Sequence, residues 1–499
     1  MEAQSHQSIR QAIEAGDYHE ALRLLTGEPA ESSETLYLQA VCTRKLGKPR
    51  EAMAVLDKLI QLHPRHGRAF QERGHILRAD GNAQGALAAF GRATEENPSL
   101  HVSWRGQAEI LLATGRIQEA ERIKPHIQRL VNMPKPLIYS LDMLSQGSIA
   151  KAEKACRAFL GENPHNVEAM RLLAQIAVKM NVFDEAEFLL ESAVLFEPDN
   201  IPLKTDYINV LRKRQKLIEA REHAQELFES DKENLYFKSQ YAVISMQLGD
   251  YETALTLFDE LLTAMPGEPV TLTSKGHALK TVGDTDAAIT CYQEACREGV
   301  IHGEAWQSLA NLKTYKFEES EVARMEGLLK NPALRKMDRV YLHFGLGKAY
   351  EDRSEYDLAF SNYANGNQIK RAESRYIAKH MSEEFEEQRR VFSTLAPSRE
   401  GFEAPDPIFI VGMPRAGSTL LEQILSSHSQ VDGTQELPNI LSAVHQLRSR
   451  NKDFDRLNYP RAILDLRPDE LRDFGRTYIE ETRTHRKEAP FFIDKMPNN

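Results

Sequence analysis

At 499 residues the chain is too long for one hydrophobic core, so it holds several domains or a repeat array. Its 41% hydrophobic and 27% charged residues are those of an ordinary soluble protein, and a net charge of -10 argues against nucleic acid as the main partner. The apolar runs, Ile408–Val411 among the longest, fall far short of the ~20 residues of a membrane span; the start from Met1 to Asp17 has no apolar leader core, and the expected location is the cytoplasm.

In chain order, small residues recur at Ala52, Ala86, Ala120, Ala152, Ala186, Ala220, Ala254 and Ala288, all but one step being 34 residues. Twelve positions before many of them stands a second small residue, as at Ala40, Gly74, Ala108, Ala174, Ala242 and Gly276. Helices that cross closely require this, because a larger side chain would push the backbones apart. Large residues four positions earlier still, Phe70, Trp104 and Met170, read as knobs between neighbouring helices. Prolines at 64, 98, 164, 198 and 266 mark where second helices stop, and Gly47, Gly81, Gly115, Gly249 and Gly283 mark the turn inside each unit.

This period resembles the tetratricopeptide repeat, an antiparallel helix pair that buries its apolar face only against its neighbours. Gly16–Ala21 reads as an earlier turn and second helix, and the pattern returns at Gly347, Ala359 and Tyr363, for roughly nine or ten units. The expected solenoid spans residues 1–375, irregular at 301–335, where the register is lost. Such an array offers a concave groove to a protein or peptide; the plainer alternative is that it only stabilises the chain or mediates self-association. Trp104 and Trp306 are assigned to packing. Cys42, Cys156, Cys291 and Cys296 lack zinc or redox spacing and read as reduced thiols of core or surface.

Residues 376–404 read as a helical linker that turns irregular around Pro397, Gly401, Pro405 and Pro407, with the boundary near residue 400. Ile408–Val411 is then expected as a strand buried on both faces of a parallel sheet. Gly412-Met413-Pro414-Arg415-Ala416-Gly417-Ser418-Thr419 follows, and an apolar-periodic helix through Leu420, Leu421, Ile424 and Leu425. Strand, glycine loop and helix N-terminus form an anion site. The spacing matches the nucleotide-triphosphate loop, but Ser418 stands where that loop needs lysine, which disfavours a kinase or NTPase.

Phe409 to Leu421 resembles the 5′-phosphosulfate loop of PAPS-dependent sulfotransferases, closest to that of tyrosylprotein sulfotransferases, with Ala416 and Ser418 as departures. The repeats together with this loop resemble tetratricopeptide-repeat sulfotransferases. The resemblance implies the co-substrate PAPS, released as PAP, with no metal, and a phosphosulfate held by Pro414, Arg415, Ala416, Gly417, Ser418, Thr419 and Leu420. It further implies Glu436 as general base toward a hydroxyl acceptor, tyrosine of a peptide presented by the solenoid being one choice and a small molecule or glycan the other. Asp432 and Gln435 lie nearby without an assigned role, and His428 reads as a capping residue. Lys495, after the apolar run Pro490–Ile493, corresponds to the lysine that stabilises the leaving PAP, with Arg415 sharing the charge; the bland reading pairs Lys495 with Asp494 at the surface.

The expected fold class is an all-α tetratricopeptide solenoid followed by the N-terminal part of an α/β P-loop-like domain at 405–499. The 3′-phosphate-binding serine and arginine implied by the resemblance would lie beyond Asn499, so a truncated domain is expected. The competing reading is an interaction scaffold with an inactive sulfotransferase-like piece.

Overall fold

The structure is a computed structural model that describes residues 8–497 apart from residues 10, 28, 30, 313, 332, 333, 375, 396–400, 435, 438 and 450–457. It forms two units, residues 1–181 with 185–199 and residues 182–184 with 200–499.

In the first unit, helix Tyr18–Leu25 is followed by antiparallel helix pairs: Ser33–Lys45 with Pro49–Leu62, Gly67–Ala79 with Ala83–Glu96, His101–Ala113 with Ile117–Asn132, Lys135–Ser145 with Ile149–Glu162, and Val167–Lys179 with Phe183–Phe196. The second unit continues with Ile201–Lys213 and Leu217–Ser230, Leu235–Gln247 and Tyr251–Ala264, and Pro269–Val282 and Thr285–Ala295.

Local chemistry sets the pairs. Gly47, Gly81, Gly115, Gly249 and Gly283 occupy the left-handed region that glycine enters without strain, with φ of 75° to 97°. In units without that glycine, Asn181, Gln215 and Ser354 are forced into the same conformation, with φ of 60° to 62°. The residue after several of these turns caps the next helix: Asn82 Oδ1 accepts from Gly85 N at 2.8 Å, Asp250 Oδ1 from Thr253 N at 3.2 Å and Asp284 Oδ1 from Ala287 N at 3.1 Å. Second helices end two residues before the periodic prolines, at Leu62, Glu96, Glu162, Phe196 and Ala264.

The periodic alanines at 52, 86, 152, 186, 220, 254 and 288 are fully buried, and Ala120 nearly so. The twelve-residue offset has a direct cause. A Cβ on Gly74 would lie 2.6 Å from the Phe90 ring, one on Gly276 2.5 Å from Tyr292, and one on Gly347 2.4 Å from Tyr363. Each glycine on a first helix seats an aromatic sixteen residues later on the second. Gly106, on the first helix of the third pair, makes a second close approach to the ring of the preceding pair, since its Cβ would meet Phe90 at 2.8 Å. The ring of Phe90 is clamped between two glycines and needs both.

Trp306 is fully buried, and Trp104 stacks on His126 at 4.4 Å while its Nε1 donates to Pro98 O, so both indoles serve packing. All four cysteines are buried and free. Gly303–Asn311 is short and packs on Lys336–Asp352, and Glu319–Leu329 lies between them along the chain. Helices Tyr356–Ser374 and Ala378–Thr394 follow.

Beyond residue 400 lie three parallel strands, β1 (Pro407–Phe409), β2 (Val431–Asp432) and β3 (Phe491–Asp494), in the order β1-β3-β2. Phe409 pairs with Asp494 and Asp432 with Phe492. The expected double burial of Ile408–Val411 is not observed. Among the described residues β1 lies at one edge of the sheet, with Phe409 45% and Val411 58% exposed; β3 lies between the other two strands, with Phe492 and Ile493 fully buried. Leu437 and Ile479 pack with Phe492, and the Arg486 guanidinium lies 3.6 Å over that ring while bonding Asp406 at 3.0 Å.

Candidate functional site

Because the strands are parallel, their carboxyl ends share one edge of the sheet. From that edge leave the loop 412–417 after β1, Gly433 and Thr434 after β2 with Glu436 and Leu437 close behind, and Lys495 after β3. Two backbone bonds join the first and third: Ile410 N donates to Asp494 O at 2.9 Å, and Gly412 N to Pro497 O at 3.3 Å.

The loop ends in two residues of left-handed backbone, Arg415 at φ 69° and Gly417 at φ 95°. A side chain in that region costs on the order of 1–2 kcal/mol, so Arg415 is held there against its preference. Gly417 is the N-cap of helix Ser418–Ser426, whose first N–H groups, on Ser418, Thr419 and Leu420, have no intrahelical acceptor. Pro414, Arg415, Ala416, Gly417, Thr419 and Leu420 are exposed and Ser418 is half-buried. Unpaired N–H groups, hydroxyls and a positive helix end together make a cradle for a phosphate or sulfate oxyanion.

The helix itself is turned differently from its apolar pattern. Leu420, Leu421 and Ile424 are 68%, 46% and 59% exposed, whereas Glu422 is 4% exposed. The side facing the sheet carries the carboxylate, because the cation opposite it is Lys495: Nζ donates to Glu422 Oε2 at 3.1 Å. The pairing of Lys495 with Asp494 at the surface is therefore corrected. Asp494 is fully buried, accepting from Tyr478 OH at 3.0 Å and from Met496 N at 3.1 Å, which braces the turn that presents Lys495. Burial first, and Asp494 second, push the Tyr478 phenol far above its usual range, so it remains a donor.

Glu436 is exposed, one residue before the anchored Leu437. Thr434 Oγ1 donates to Ile493 O, tying this segment to β3. Asp432 is buried and structural, accepting from Lys487 N at 2.7 Å and Ala489 N at 3.3 Å. Gln435 lies outside the described residues. His428 follows the C-cap Ser427, where its N–H donates to Leu425 O at 3.1 Å, and its Nδ1 accepts from Gln430 N at 3.2 Å in the turn into β2. Arg415, Glu436 and Lys495 thus come to one edge, joined by Glu422, which the sequence hid inside an apolar run.

The fold and this edge define a helical-repeat protein joined to a parallel-sheet segment with a glycine-containing loop between strand and helix. Residues 407–499 match the sulfotransferase family, and residues 37–101, 72–123, 143–205 and 271–297 match the tetratricopeptide repeat, so the chain joins tetratricopeptide-type repeats to a segment similar to the sulfotransferase family. An uncharacterized protein of Aquifex aeolicus (strain VF5) is 24% identical over 409 residues, covering 78% of this chain and 53% of its own length. The chain spans about half the length of that curated relative. Similar solved chains include MamA (16% identity, 32% of this chain and 92% of that one, TM-score 0.29). Another belongs to the APC/C hetero-tetramer Cut9–Hcn1 (14%, 72% and 86%, TM-score 0.37). A third is YrrB, described as having an unusual peptide-binding site (17%, 44% and 97%, TM-score 0.28). Among the described residues no helix is long and apolar enough to cross a membrane.

Proposed function

We propose that the protein is a PAPS-dependent sulfotransferase that moves a sulfuryl group to a hydroxyl acceptor. The observation that carries this reading is the strand, left-handed loop and helix N-terminus at 407–426 with a lysine emerging from the adjacent strand, in a segment of the sulfotransferase family. Ser418 in the lysine position of a nucleotide-triphosphate loop weighs against ATP. The residues present suit the 5′ end of PAPS: the N–H groups of Ser418, Thr419 and Leu420 for oxyanion oxygens, Arg415 for the sulfonate or 5′-phosphate, and Lys495 for the leaving phosphate.

In the proposed reaction Glu436 takes the acceptor proton, the acceptor oxygen bonds to sulfur, the sulfur–oxygen bond to the phosphate breaks, and PAP leaves with the negative charge. The repeats are assigned to holding a protein or peptide, so that a tyrosine of that peptide is one acceptor. Calorimetric titration with PAP, beside ATP with Mg²⁺, tests the donor assignment. PAP binding without ATP binding is expected; ATP binding in preference to PAP, or no response to PAP, overturns it.

A further inference from the structure

Glu422 places a buried carboxylate inside a site that the reading above assigns to anions. Its side chain is 5% exposed and that of Lys495 15%, with 3.1 Å between Oε2 and Nζ. On the other side of the carboxylate, a Cβ on Gly433 would lie 2.6 Å from Glu422 Oε1 and 2.9 Å from Ser426 Cβ. The glycine leaves the space that the carboxylate occupies, and three segments meet there: the helix after the loop, the end of β3 and the start of the segment carrying Glu436. Desolvating such a pair costs several kcal/mol, and apolar residues of the same volume would stabilise a fold at least as well. Stability alone therefore gives no reason for an ion pair at this point.

Resting on the donor reading above, we propose that Glu422 is a positioning residue that fixes the Lys495 ammonium for the donor phosphate. An ammonium has three N–H donors. Glu422 engages one from the buried side, which leaves the others for a ligand at the sheet edge. The lysine stem is then ordered before the ligand arrives, so its rotamer entropy is not lost on binding. The Tyr478–Asp494–Met496 bonds hold the backbone of the same turn, so main chain and side chain are both fixed.

The test is a double-mutant cycle read by PAP titration on the full chain, with wild type, E422Q, K495A and the double variant. E422Q is expected to weaken PAP about tenfold when Lys495 is present, the scale of one charge-assisted hydrogen bond, and by less than about twofold in the K495A background. G433A offers a second route, since the added methyl displaces the carboxylate without changing any charge; it is expected to weaken PAP as well, with near-ultraviolet circular dichroism reporting the fold. An equal loss in both backgrounds makes Glu422 a purely structural residue, and E422Q binding PAP as well as wild type removes its role; either overturns the proposal. Wild-type protein that does not bind PAP overturns the donor reading and this inference together, whereas wild-type binding without coupling overturns this inference alone.

Discussion

Arg415 and Lys495 bring positive charge to the proposed donor site from two different strand ends, and they are held by different means. Arg415 is fixed by its left-handed backbone and Lys495 by its side-chain partner. Replacing either with alanine is expected to weaken PAP by roughly tenfold, the worth of a charge-assisted contact to an oxyanion, as read by calorimetry. Glu436→Gln is expected to leave PAP affinity unchanged and to reduce transfer in a full-length active form by about a hundredfold or more. A variant that keeps wild-type turnover would move the base elsewhere. Burial holds the Cys42 thiol at about 11 and the Cys156 thiol at about 12, well above free cysteine, so the folded protein is expected to resist an aromatic disulfide reagent until denaturant is added.

Within the repeats, the element is a helix pair, and its weak points can be read from two kinds of position. Gln215 sits at φ 60° in the turn between Ile201–Lys213 and Leu217–Ser230, where the next unit uses Gly249. Relief of its backbone strain, reduced by the greater freedom glycine gives the unfolded chain, predicts that Gln215→Gly stabilises by about 1 kcal/mol, seen as a higher thermal midpoint. Gly276 is the opposite case: its Cβ would lie 2.5 Å from the buried Tyr292 ring. Gly276→Ala is expected to destabilise by about 1–3 kcal/mol through overpacking, and an unchanged midpoint would mean that the ring can shift away.

Across the whole molecule, burial lowers His66, His75, His101, His126, His277, His302 and His485 below their ordinary value of 6.5. The folded protein therefore binds fewer protons than the unfolded chain once the pH drops below 6.5. Stability from this source is fully present above that pH and declines as acid protonates the unfolded state first. Thermal midpoints measured by circular dichroism are expected to fall between pH 7.5 and 5.5; a midpoint that holds or rises would show that other groups offset these histidines.

The repeats are legible along the chain because their signals are local and recur: a 34-residue interval, a glycine at many of the left-handed turns, a proline after many of the second helices, and a small residue where a ring must fit. The loop from Gly412 to Thr419 is legible too, since a strand, glycines and a helix start lie consecutively along the chain. Tertiary structure decided the rest. Periodicity makes Leu420, Leu421 and Ile424 the inward face of their helix, yet the sheet faces Glu422, because its charge is matched by Lys495 from a strand 73 residues away. Likewise, among the described residues, β3 pairs with both β1 and β2 and lies between them, an order that pairing sets and that no apolar run encodes. Local chemistry is written in neighbouring residues; which buried charge meets which is fixed only when distant segments pack.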